Sequence, residues 1–326
     1  MKETILVAGG AGYIGSHTVR ALCEEGINVV VVDNLSEGHR ETVGGALLVE
    51  ADINDAAALD AVFAEHTINA VIHFSAYAYV GESVSNPQKY YHNNVGATLT
   101  LLAAMLRHNV KQLVFSSSCA TYGNPVRIPI DESHPQNPVN PYGTTKFMVE
   151  RILADYHSAY GLNYIALRYF NAAGAHPDGS IGESHRIETH LIPLALKTIT
   201  GERAYIEVFG TDYDTPDGTC IRDYIHVCDL ASAHCAALRA LADGAESRCI
   251  NLGTGQGASV REVIHTCEEV CGKKVPVVFS ARRPGDPPVL VAANNLAKTV
   301  LKWSPRWTTI REIIASAWNW EQHRNF

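Results

Sequence analysis

Residues 4–34 read TILVAGGAGYIGSHTVRALCEEGINVVVVDN and contain the pattern that decides the fold. An apolar run at residues 5–8 enters a glycine-rich turn, and a second apolar run at residues 29–32 ends at Asp33. Short apolar runs bounded by turn residues are typical of buried strands, and the stretch between these two runs is long enough for a helix. The sequence therefore predicts a strand, a turn, a helix and a second strand.

Three glycines in this turn, Gly9, Gly12 and Gly15, are spaced as in a dinucleotide-binding turn. In such a turn they allow a tight bend, the close approach of a pyrophosphate and close packing of the helix on the sheet. The helix N-terminus beyond them presents unpaired N–H groups and a partial positive charge to an anion. Asp33, roughly 20 residues further on, can accept the ribose hydroxyls and would repel a 2′-phosphate, so we predict NAD rather than NADP. A tight turn without a ligand is the alternative.

Composition and charge limit the classes of function. The chain has 326 residues, of which 46% are hydrophobic, so it can form two domains or one large α/β unit with an ample core. The formal net charge of −8 argues against nucleic acid or an anionic membrane as the main partner. A phosphorylated substrate would therefore need locally placed arginines.

The cysteines and the N-terminus indicate the compartment. The eight cysteines include no C-x-x-C pair and no disulfide-framework spacing. The first predicted strand begins by Thr4, which leaves no room for a signal peptide, and no apolar run approaches the roughly 18 residues of a membrane span. We expect a cytoplasmic protein with reduced thiols.

Apolar strands alternate with helices along the first half of the chain. Strands are expected at residues 47–50, 70–74, 111–116 and 163–168, and a long helix at residues 89–108 should turn Val95, Leu99, Leu102 and Leu106 inward. This alternation predicts an α/β fold with a Rossmann-type parallel sheet covered by helices on both faces, plus a smaller mixed α/β substrate domain. We place the NAD-binding domain at residues 1–175 and the substrate domain at residues 176–326, and residues 220–242 may belong with the first.

One helix carries a charged residue on its apolar face. In the helix predicted at residues 142–160, Tyr142 and Lys146 lie on the same stripe as Val149, Leu153 and Tyr156. A buried ammonium is costly unless it is paired or used. Lys146 could stabilise a phenolate on Tyr142, one turn earlier, and lower its pKa towards neutrality, which would make a general base.

Ser118 completes the candidate catalytic group. It follows the strand predicted at residues 111–116, and ligands bind outside the carboxyl ends of strands in such sheets. Its hydroxyl could donate to the same substrate oxygen as Tyr142. Cys119 beside it has no base placed by sequence to activate it, so we interpret it as a small packing residue.

The motifs Gly-x-x-Gly-x-x-Gly at 9–15 and Tyr-x-x-x-Lys at 142–146 resemble those of the extended short-chain dehydrogenases. Further similar segments are GGAGYIGSHT (9–18), DNLS (33–36), VGES (80–83), NNVGAT (93–98), SSSCATYG (116–123), NPYGTTK (140–146), RYFNAAGAHP (168–177), ETHLIP (188–193), GTCIRDYIHVCDLA (218–231) and RRPGD (282–286). They extend over nearly the whole chain, and they are most similar to those of the UDP-sugar 4-epimerases in that family.

The resemblance implies two sets of binding residues. Those implied for NAD are Gly9, Gly12, Tyr13, Ile14, Gly15, Asp33, Asn34, Asp52, Ile53, Phe74, Asn93 and Lys146. Those implied for the UDP-sugar are Ser118, Tyr142, Asn171, Leu191, Phe209, Arg222, Arg283 and Asp286. His190 stands where many relatives have Asn, and Ala78 where some carry a Lys near the cofactor phosphates.

The resemblance also implies a reaction and an assembly. Tyr142 would remove the proton from the sugar 4-hydroxyl while hydride leaves C4 for bound NAD, and the keto sugar would take the hydride back on its other face. UDP-glucose and UDP-galactose would interconvert in this way without net oxidation. A homodimer formed through the helices near residues 89–108 and 142–160 is implied as well.

Other readings stay open at this point. A 4,6-dehydratase of this family would carry Asp-Glu just after the position of Ser118, where this chain has Cys119 and Ala120. Leu290 aligns with a position beside the sugar 2-substituent that is Tyr in some relatives, so the substrate could instead be UDP-N-acetylglucosamine; UDP-glucuronate and a UDP-pentose are further possibilities. A non-catalytic NAD-sensing protein would have no reason to keep Ser118, Tyr142 and Lys146 together.

The sequence gives little support for a metal site. It contains 15 histidines but no H-E-x-x-H motif and no His/Cys cluster with ligand spacing. We interpret His185 and His190, in a polar loop, as structural or substrate-facing residues and expect no metal.

Overall fold

The computed structural model describes residues 3–283, 286–324 and 326. Its strands, in chain order, are β1 (Thr4–Ala8), β2 (Asn28–Asp33), β3 (Leu47–Glu50), β4 (Ala70–His73), β5 (Gln112–Ser118), β6 (Asn163–Tyr169), β7 (Asn171–Ala173), β8 (Ile206–Phe209), β9 (Ile221–Arg222), β10 (Tyr224–His226), β11 (Arg248–Leu252), β12 (Ala258–Ser259), β13 (Val277–Ser280) and β14 (Val289–Leu290). Its α-helices are α1 (Tyr13–Glu24), α2 (Ala56–Glu65), α3 (Val80–Ser85), α4 (Pro87–Tyr90), α5 (Thr98–Arg107), α6 (Pro141–Tyr160), α7 (Leu191–Thr200), α8 (Val227–Ala242), α9 (Val260–Cys271), α10 (Asn295–Val300) and α11 (Ile310–His323).

Seven strands form the main sheet in the order β3-β2-β1-β4-β5-β6-β11, and every neighbouring pair is parallel. The first two apolar runs of the sequence are paired from Thr4 with Asn28 to Ala8 with Val32. The chain reverses its direction of strand addition between β1 and β4, and a crevice opens at the carboxyl ends of strands at such a point. The predicted Rossmann-type parallel sheet is confirmed.

Alternate residues of each strand face opposite layers of helices. Val7, Val31 and Ile72 pack on one face with Val19 of α1 and Leu230 of α8. The opposite face buries a second set against α2, α5 and α6, which comprises Leu6, Val30, Val71, Phe115, Leu59, Leu101, Val149 and Leu153. Because both faces are covered, the strands are apolar throughout rather than alternating with polar residues.

A third core lies in the later part of the chain. Helices α7, α9 and α11 pack together around the parallel pair β8 and β13 and bury Ile192, Val208, Val263 and Ile313. In the small sheet β12-β9-β14, β12 is antiparallel to β9 and β14 is parallel to it. Helix α8 packs on α1 and β11 joins the main sheet, whereas the domain boundary near residue 175 remains a prediction.

The helix predicted at residues 89–108 differs from the structure in its inward face. Residues 91–97 form a π-helical turn between α4 and α5. A π-turn changes the angular position of everything after it because its hydrogen bonds join residues five apart. Val95 and Leu102 are buried as expected, but Leu99 is exposed and Met105 takes an inward position instead, so the prediction for Leu99 was wrong.

Among the described residues, no helix has both the length and the apolar character needed to cross a membrane.

A buried ion pair joins α6 to the main sheet. Arg168 of β6 donates from Nε and Nη2 to the two carboxylate oxygens of Glu150, at 2.8 and 2.7 Å. Ser117 and Gln136 donate to the same carboxylate at 2.6 and 2.7 Å. Glu150 and Arg168 are 4% and 5% exposed, so neither charge has water as an alternative partner. The pair fixes the helix that carries Tyr142 and Lys146 against the strands.

Glu150→Gln should lower the free energy of unfolding by about 3–5 kcal/mol, because it leaves the Arg168 guanidinium buried without a counter-charge. The measurement is urea unfolding followed by circular dichroism. Glu25→Gln is the matched control, since Glu25 pairs with Arg239 at the surface, where such a pair contributes about 1 kcal/mol or less. Equal losses in the two variants would contradict the role given to the buried pair.

Candidate active site

The glycine turn between β1 and α1 leaves no room for side chains at two of its positions. Gly9 has a positive φ of 79°, and a Cβ there would lie 2.5 Å from the backbone nitrogen of Ser75. A Cβ on Gly15 would lie 2.2 Å from the Gly9 carbonyl oxygen, so α1 begins directly against the turn. At Gly12 the nearest protein atom to a Cβ would be 3.5 Å away. The protein itself therefore tolerates a side chain at Gly12, and the space is kept free on the pocket side.

A pocket opens beside this turn, at the carboxyl ends of the strands. Eight of the residues predicted to bind NAD line it: Gly9, Gly12, Asp33, Asn34, Asp52, Ile53, Phe74 and Asn93. Tyr13, Ile14 and Gly15 form the first turn of α1 next to it, where backbone N–H groups have no partner within the helix. Seven further residues that line the pocket were not predicted, and they follow the ends of β2, β3 and β4: Ser36, Glu37, Gly38, Ala51, Ser75, Ala76 and Tyr77. Their position after strand ends was the signal that could have found them.

Asp33 connects the turn to the end of β2. The Ala11 N–H donates to its Oδ2 at 2.9 Å, and the Leu35 N–H donates to its Oδ1 at 2.8 Å. Burial raises the pKa of Asp33, and these two hydrogen bonds oppose the increase. Asn34 donates to Asp52 at 2.9 Å further along the pocket wall. The carboxylates of Asp33 and Asp52 thus both line the pocket.

Tyr142 and Lys146 lie in the first turns of α6, whose N-terminus is capped by Asn140 accepting from the Gly143 N–H at 2.8 Å. The Lys146 ammonium donates to the Ser116 carbonyl at 2.7 Å and lies 5.9 Å from the centre of the Tyr142 ring. Lys146 is buried, as its position on the apolar stripe predicted. Ser118, the last residue of β5, lies close enough to the Tyr142 side chain to lower its pKa against the effect of burial. The structure therefore brings the three predicted catalytic residues together.

The predicted effect of Lys146 on Tyr142 was wrong for the chain by itself. Burial raises the pKa of Tyr142 to about 12, and the hydrogen bond from Ser118 is the interaction that lowers it. Burial likewise lowers the pKa of Lys146 to about 7, opposed by the charge of Glu150. Both side chains are shifted towards their neutral forms, because the low-dielectric surroundings penalise the phenolate and the ammonium alike.

Asn94 links the catalytic group to the wall of the pocket. Its side-chain amide donates to the Tyr77 carbonyl at 3.0 Å and to Thr145, the residue before Lys146, at 3.1 Å.

Cys119 follows Ser118 in the chain, and Leu290 packs in the same small hydrophobic cluster as Cys119. Burial raises the pKa of the Cys119 thiol to about 12, which agrees with a packing residue rather than a nucleophile.

A second pocket contains Arg283, one of the two arginines predicted to hold the diphosphate. Arg283, Asp286 and Arg282 line it together with Asp212, Tyr213, Asp214 and Pro288. The Arg283 guanidinium stacks on the Phe209 ring at 3.9 Å from its centre. Arg222 of β9 forms an ion pair with Asp286. Within the RRPGD segment, Pro284 and Gly285 lie outside the described residues.

The remaining predicted substrate residues occupy neighbouring elements. Asn171 begins β7 and its amide donates to the Asp223 carbonyl at 3.0 Å, and Leu191 begins α7. Leu290 pairs with Arg222 in the register of β14 and β9.

Asp223 is a structural residue that was not predicted from the sequence. It is fully buried and accepts hydrogen bonds from the backbone N–H groups of Thr254, Gly255 and Ala292. It thereby fixes the strand that carries Arg222.

His190, which replaces the Asn of many relatives, does not lie alone. Its Nδ1 is 2.8 Å from Glu183 and 2.9 Å from Glu188, and His185 contacts the same two carboxylates. Although burial opposes it, the two carboxylates raise the pKa of His185 to about 9. His190 thus belongs to a cluster of four side chains.

Known proteins match the chain along its length. The model of the NAD dependent epimerase/dehydratase family matches residues 5–253. The UDP-glucose 4-epimerase of Halalkalibacterium halodurans is 51% identical over 318 residues, which cover 98% of this chain and 95% of that protein. The structure of UDP-glucose 4-epimerase from Brucella ovis in complex with NAD superposes with a TM-score of 0.95 at 51% identity, covering 97% of this chain and 98% of that one.

A second solved structure is that of UDP-glucose 4-epimerase from Bifidobacterium longum in complex with NAD+ and UDP. It superposes with a TM-score of 0.94 at 42% identity, covering 98% of both chains. The family match, the sequence identity and the fold agree. The chain belongs to the NAD-dependent epimerase/dehydratase family.

Proposed function

We propose that this chain is an NAD-dependent UDP-sugar 4-epimerase that interconverts UDP-glucose and UDP-galactose. The observation that carries the proposal is the grouping of Ser118, Tyr142 and Lys146 at the carboxyl edge of a sheet that also forms a dinucleotide pocket. The relatives that match the chain over nearly its whole length include the UDP-glucose 4-epimerases of Halalkalibacterium halodurans and Brucella ovis. Hydride transfer at C4 needs a proton acceptor beside the cofactor, and Tyr142 is that group.

The pocket beside Gly9 fits NAD better than NADP. The α1 N-terminus can hold the pyrophosphate without a cationic side chain. Asp33, Glu37 and Asp52 line the pocket, and no lysine or arginine does so among the described residues. Carboxylates bind ribose hydroxyls and repel a 2′-phosphate. When bound, NAD supplies the acceptor for the C4 hydride and, in its oxidised form, a positive charge.

The chain's own groups handle the proton. Tyr142 takes the proton of the sugar 4-hydroxyl and returns it in the reverse step, and Ser118 donates a hydrogen bond to the same oxygen. Lys146 is positioned by the Ser116 carbonyl at 2.7 Å and supplies positive charge on the inner side of Tyr142. Since burial places the Lys146 pKa at about 7, a small stabilisation of its ammonium changes its charge near neutral pH.

The reaction requires the UDP part of the substrate to stay bound while the sugar rotates. Arg283 on Phe209 and Arg222 paired with Asp286 provide planar guanidinium groups suited to a diphosphate. If these residues hold the UDP part, the sugar is left free to present either face of C4.

We also propose that the protein is a homodimer. Several apolar side chains on the surface of α3, the π-turn, α5 and α6 are exposed to solvent, among them Val84, Tyr91, Leu99 and Met148. These elements pack beside one another, so the side chains belong to neighbouring helices. A second copy of the same surface would remove this apolar area from water.

A cytoplasmic location belongs to the same proposal. All eight cysteines are free thiols, as expected of a protein kept in a reducing compartment.

Tyr142→Phe should bind NAD and UDP as the wild type does but lose turnover of UDP-galactose by about 10²–10⁴-fold, because it removes the proton acceptor and keeps the ring. The measurements are the NAD content of the purified protein, UDP affinity by calorimetry and the initial rate. Tyr156→Phe, on the same helix, is the matched control. A Tyr142→Phe rate within about threefold of wild type would contradict the assignment, and wild-type protein that holds NAD without epimerising would instead favour an NAD-sensing role.

Arg283→Ala should raise the KM for UDP-galactose by about tenfold or more, with a smaller effect on kcat, because it removes a charge from the diphosphate and leaves the catalytic group in place. Arg261→Ala is the matched control, since Arg261 also stacks on a ring, that of Phe279 on β13. The comparison is made from full rate curves at several substrate concentrations. An unchanged KM would show that Arg283 does not hold the diphosphate.

Substitution of Leu290 tests whether UDP-N-acetylglucosamine is a substrate. It lies on β14 opposite Arg222 and beside the cluster that contains Cys119, close to the expected sugar site. We expect Leu290→Tyr to lower the rate with UDP-N-acetylglucosamine by about tenfold relative to UDP-glucose, because the larger ring fills space for the acetyl group. Both substrates are assayed with both proteins. Wild-type turnover of the N-acetylated sugar no better than that of the variant would eliminate this specificity.

A further inference from the structure

Four side chains between β7 and α7 converge on one point. Glu183, His185, Glu188 and His190 each offer one ligand atom, and these atoms all lie within 4.8 Å of one another. His190 is the residue directly before α7, and the other three lie on the segment leading to it. The proposed epimerisation uses none of their side chains.

The spacing of these atoms is that of a coordination shell. His190 Nδ1 lies 2.8 Å from Glu183 Oε1 and 2.9 Å from Glu188 Oε1. His185 Nδ1 lies 3.3 Å from Glu183 Oε1 and 3.4 Å from Glu188 Oε2. In a tetrahedral zinc site with bonds of about 2.0–2.1 Å, neighbouring ligand atoms are about 3.3 Å apart. These four separations differ from that value by about half an ångström or less, and no two of the four ligand atoms are more than 4.8 Å apart, so an ion could enter after modest movements of the side chains.

The two carboxylates of the cluster are paired with titratable histidines. The side chains of Glu183 and Glu188 are 5% and 4% exposed, and their ion-pair partners within the described residues are His185 and His190 alone. Each imidazole Nδ1 carries at most one proton but faces two carboxylates. Two buried carboxylates, two neutral imidazoles and one divalent ion are also neutral together, so an ion would take the place of the two imidazolium protons.

The surrounding atoms hold the four ligands in place. The backbone N–H groups of Thr189 and His190 both donate to Glu188 Oε1 at 2.7 Å. Trp320 donates to the Glu183 carbonyl at 3.1 Å, and the His39 ring hydrogen-bonds to the Ser184 carbonyl at 3.0 Å. Outer contacts of this kind orient metal ligands.

One side of the cluster is open, because the His190 side chain is 49% exposed. The Tyr13 ring meets the His185 ring edge-on, with their centres 6.2 Å apart. The cluster therefore has an entry path for an ion and adjoins the start of α1.

We propose that Glu183, His185, Glu188 and His190 form a structural Zn²⁺ site. Two imidazole nitrogens and two carboxylate oxygens suit zinc, whereas Mg²⁺ and Ca²⁺ favour oxygen ligands. Four protein ligands fill a tetrahedral shell and leave no position for a substrate, so the ion is structural. It ties the segment that precedes Leu191 of α7 to the neighbourhood of Tyr13. The proposal departs from the expectation of no metal, and it stands independently of the epimerase reaction.

The test measures zinc in full-length protein without an affinity tag. The protein is treated with a chelator, exchanged into buffer, mixed with excess Zn²⁺ and passed through a desalting column before elemental analysis. We expect about one zinc per chain in the wild type and a large loss in His190→Ala. The matched control is His265→Ala, since His265 also pairs with a glutamate, Glu269, but on an exposed helix surface; it should retain the zinc.

A second readout does not depend on any variant folding. The melting temperature of chelator-treated wild-type protein should rise on addition of Zn²⁺, because an ion that binds only the folded state stabilises it. Co²⁺ in place of Zn²⁺ should give the visible absorption of a four-coordinate ion. Wild-type protein that takes up no zinc and melts at the same temperature with and without it would overturn the proposal, as would equal uptake by wild type and His190→Ala. In either case the cluster would hold protons only.

Discussion

No side chain fits at Gly15, and the rest of the cofactor site follows from that constraint. A Cβ there would lie 2.2 Å from the Gly9 carbonyl oxygen, so the first turn of α1 can rest directly on the turn that ends β1. The helix N-terminus is thereby aimed at the pocket, and the Ala11 N–H reaches the Asp33 carboxylate at the tip of the next strand. The absence of a side chain at Gly15 thus sets both the position of the helix N-terminus and the position of the Asp33 carboxylate.

Burial changes the pKa values of the two candidate catalytic residues on α6. Tyr142 and Lys146 lie one helical turn apart, yet the protein shifts both towards their neutral forms, with pKa values of about 12 and about 7. The chain alone therefore keeps the proton on Tyr142. Positive charge that arrives with an oxidised cofactor would favour the phenolate, so proton removal is coupled to the presence of the hydride acceptor. Such coupling suits a reaction that begins and ends with the same oxidation state.

The main sheet was predictable from the sequence because its signals are local. Each strand is a short apolar run ended by a turn or a functional residue, and the stripe of Lys146, Val149 and Leu153 on α6 follows from the 3.6-residue period. The inward face after residue 97 was not predictable, because the π-turn that shifts it leaves no mark in the apolar spacing. Leu99 was misplaced for that reason.

Some residues of the candidate site were likewise predictable from local sequence signals, and others depend on the tertiary structure. Residues at strand ends, such as Asp33 and Ser118, could be found from the order of elements, and the resemblance to a family supplied Arg222 and Arg283. The grouping of Glu183 with His190 depends on how a long polar loop folds back on itself. The pKa of Tyr142 depends on how deeply its phenol is buried, which spacing along a helix does not give.

The π-turn at residues 91–97 has a consequence for how the chain tolerates change. It accommodates one residue more than a regular helix of the same rise, so deleting a single residue there could restore continuous α-helical geometry. The deletion would then rotate α5 by about a quarter turn relative to the segment that carries Asn93. Asn93, which lines the pocket, and the buried side of α5 could not both keep their places. The extra residue of the π-turn therefore allows one continuous helical segment to face the pocket at its start and the hydrophobic core along α5.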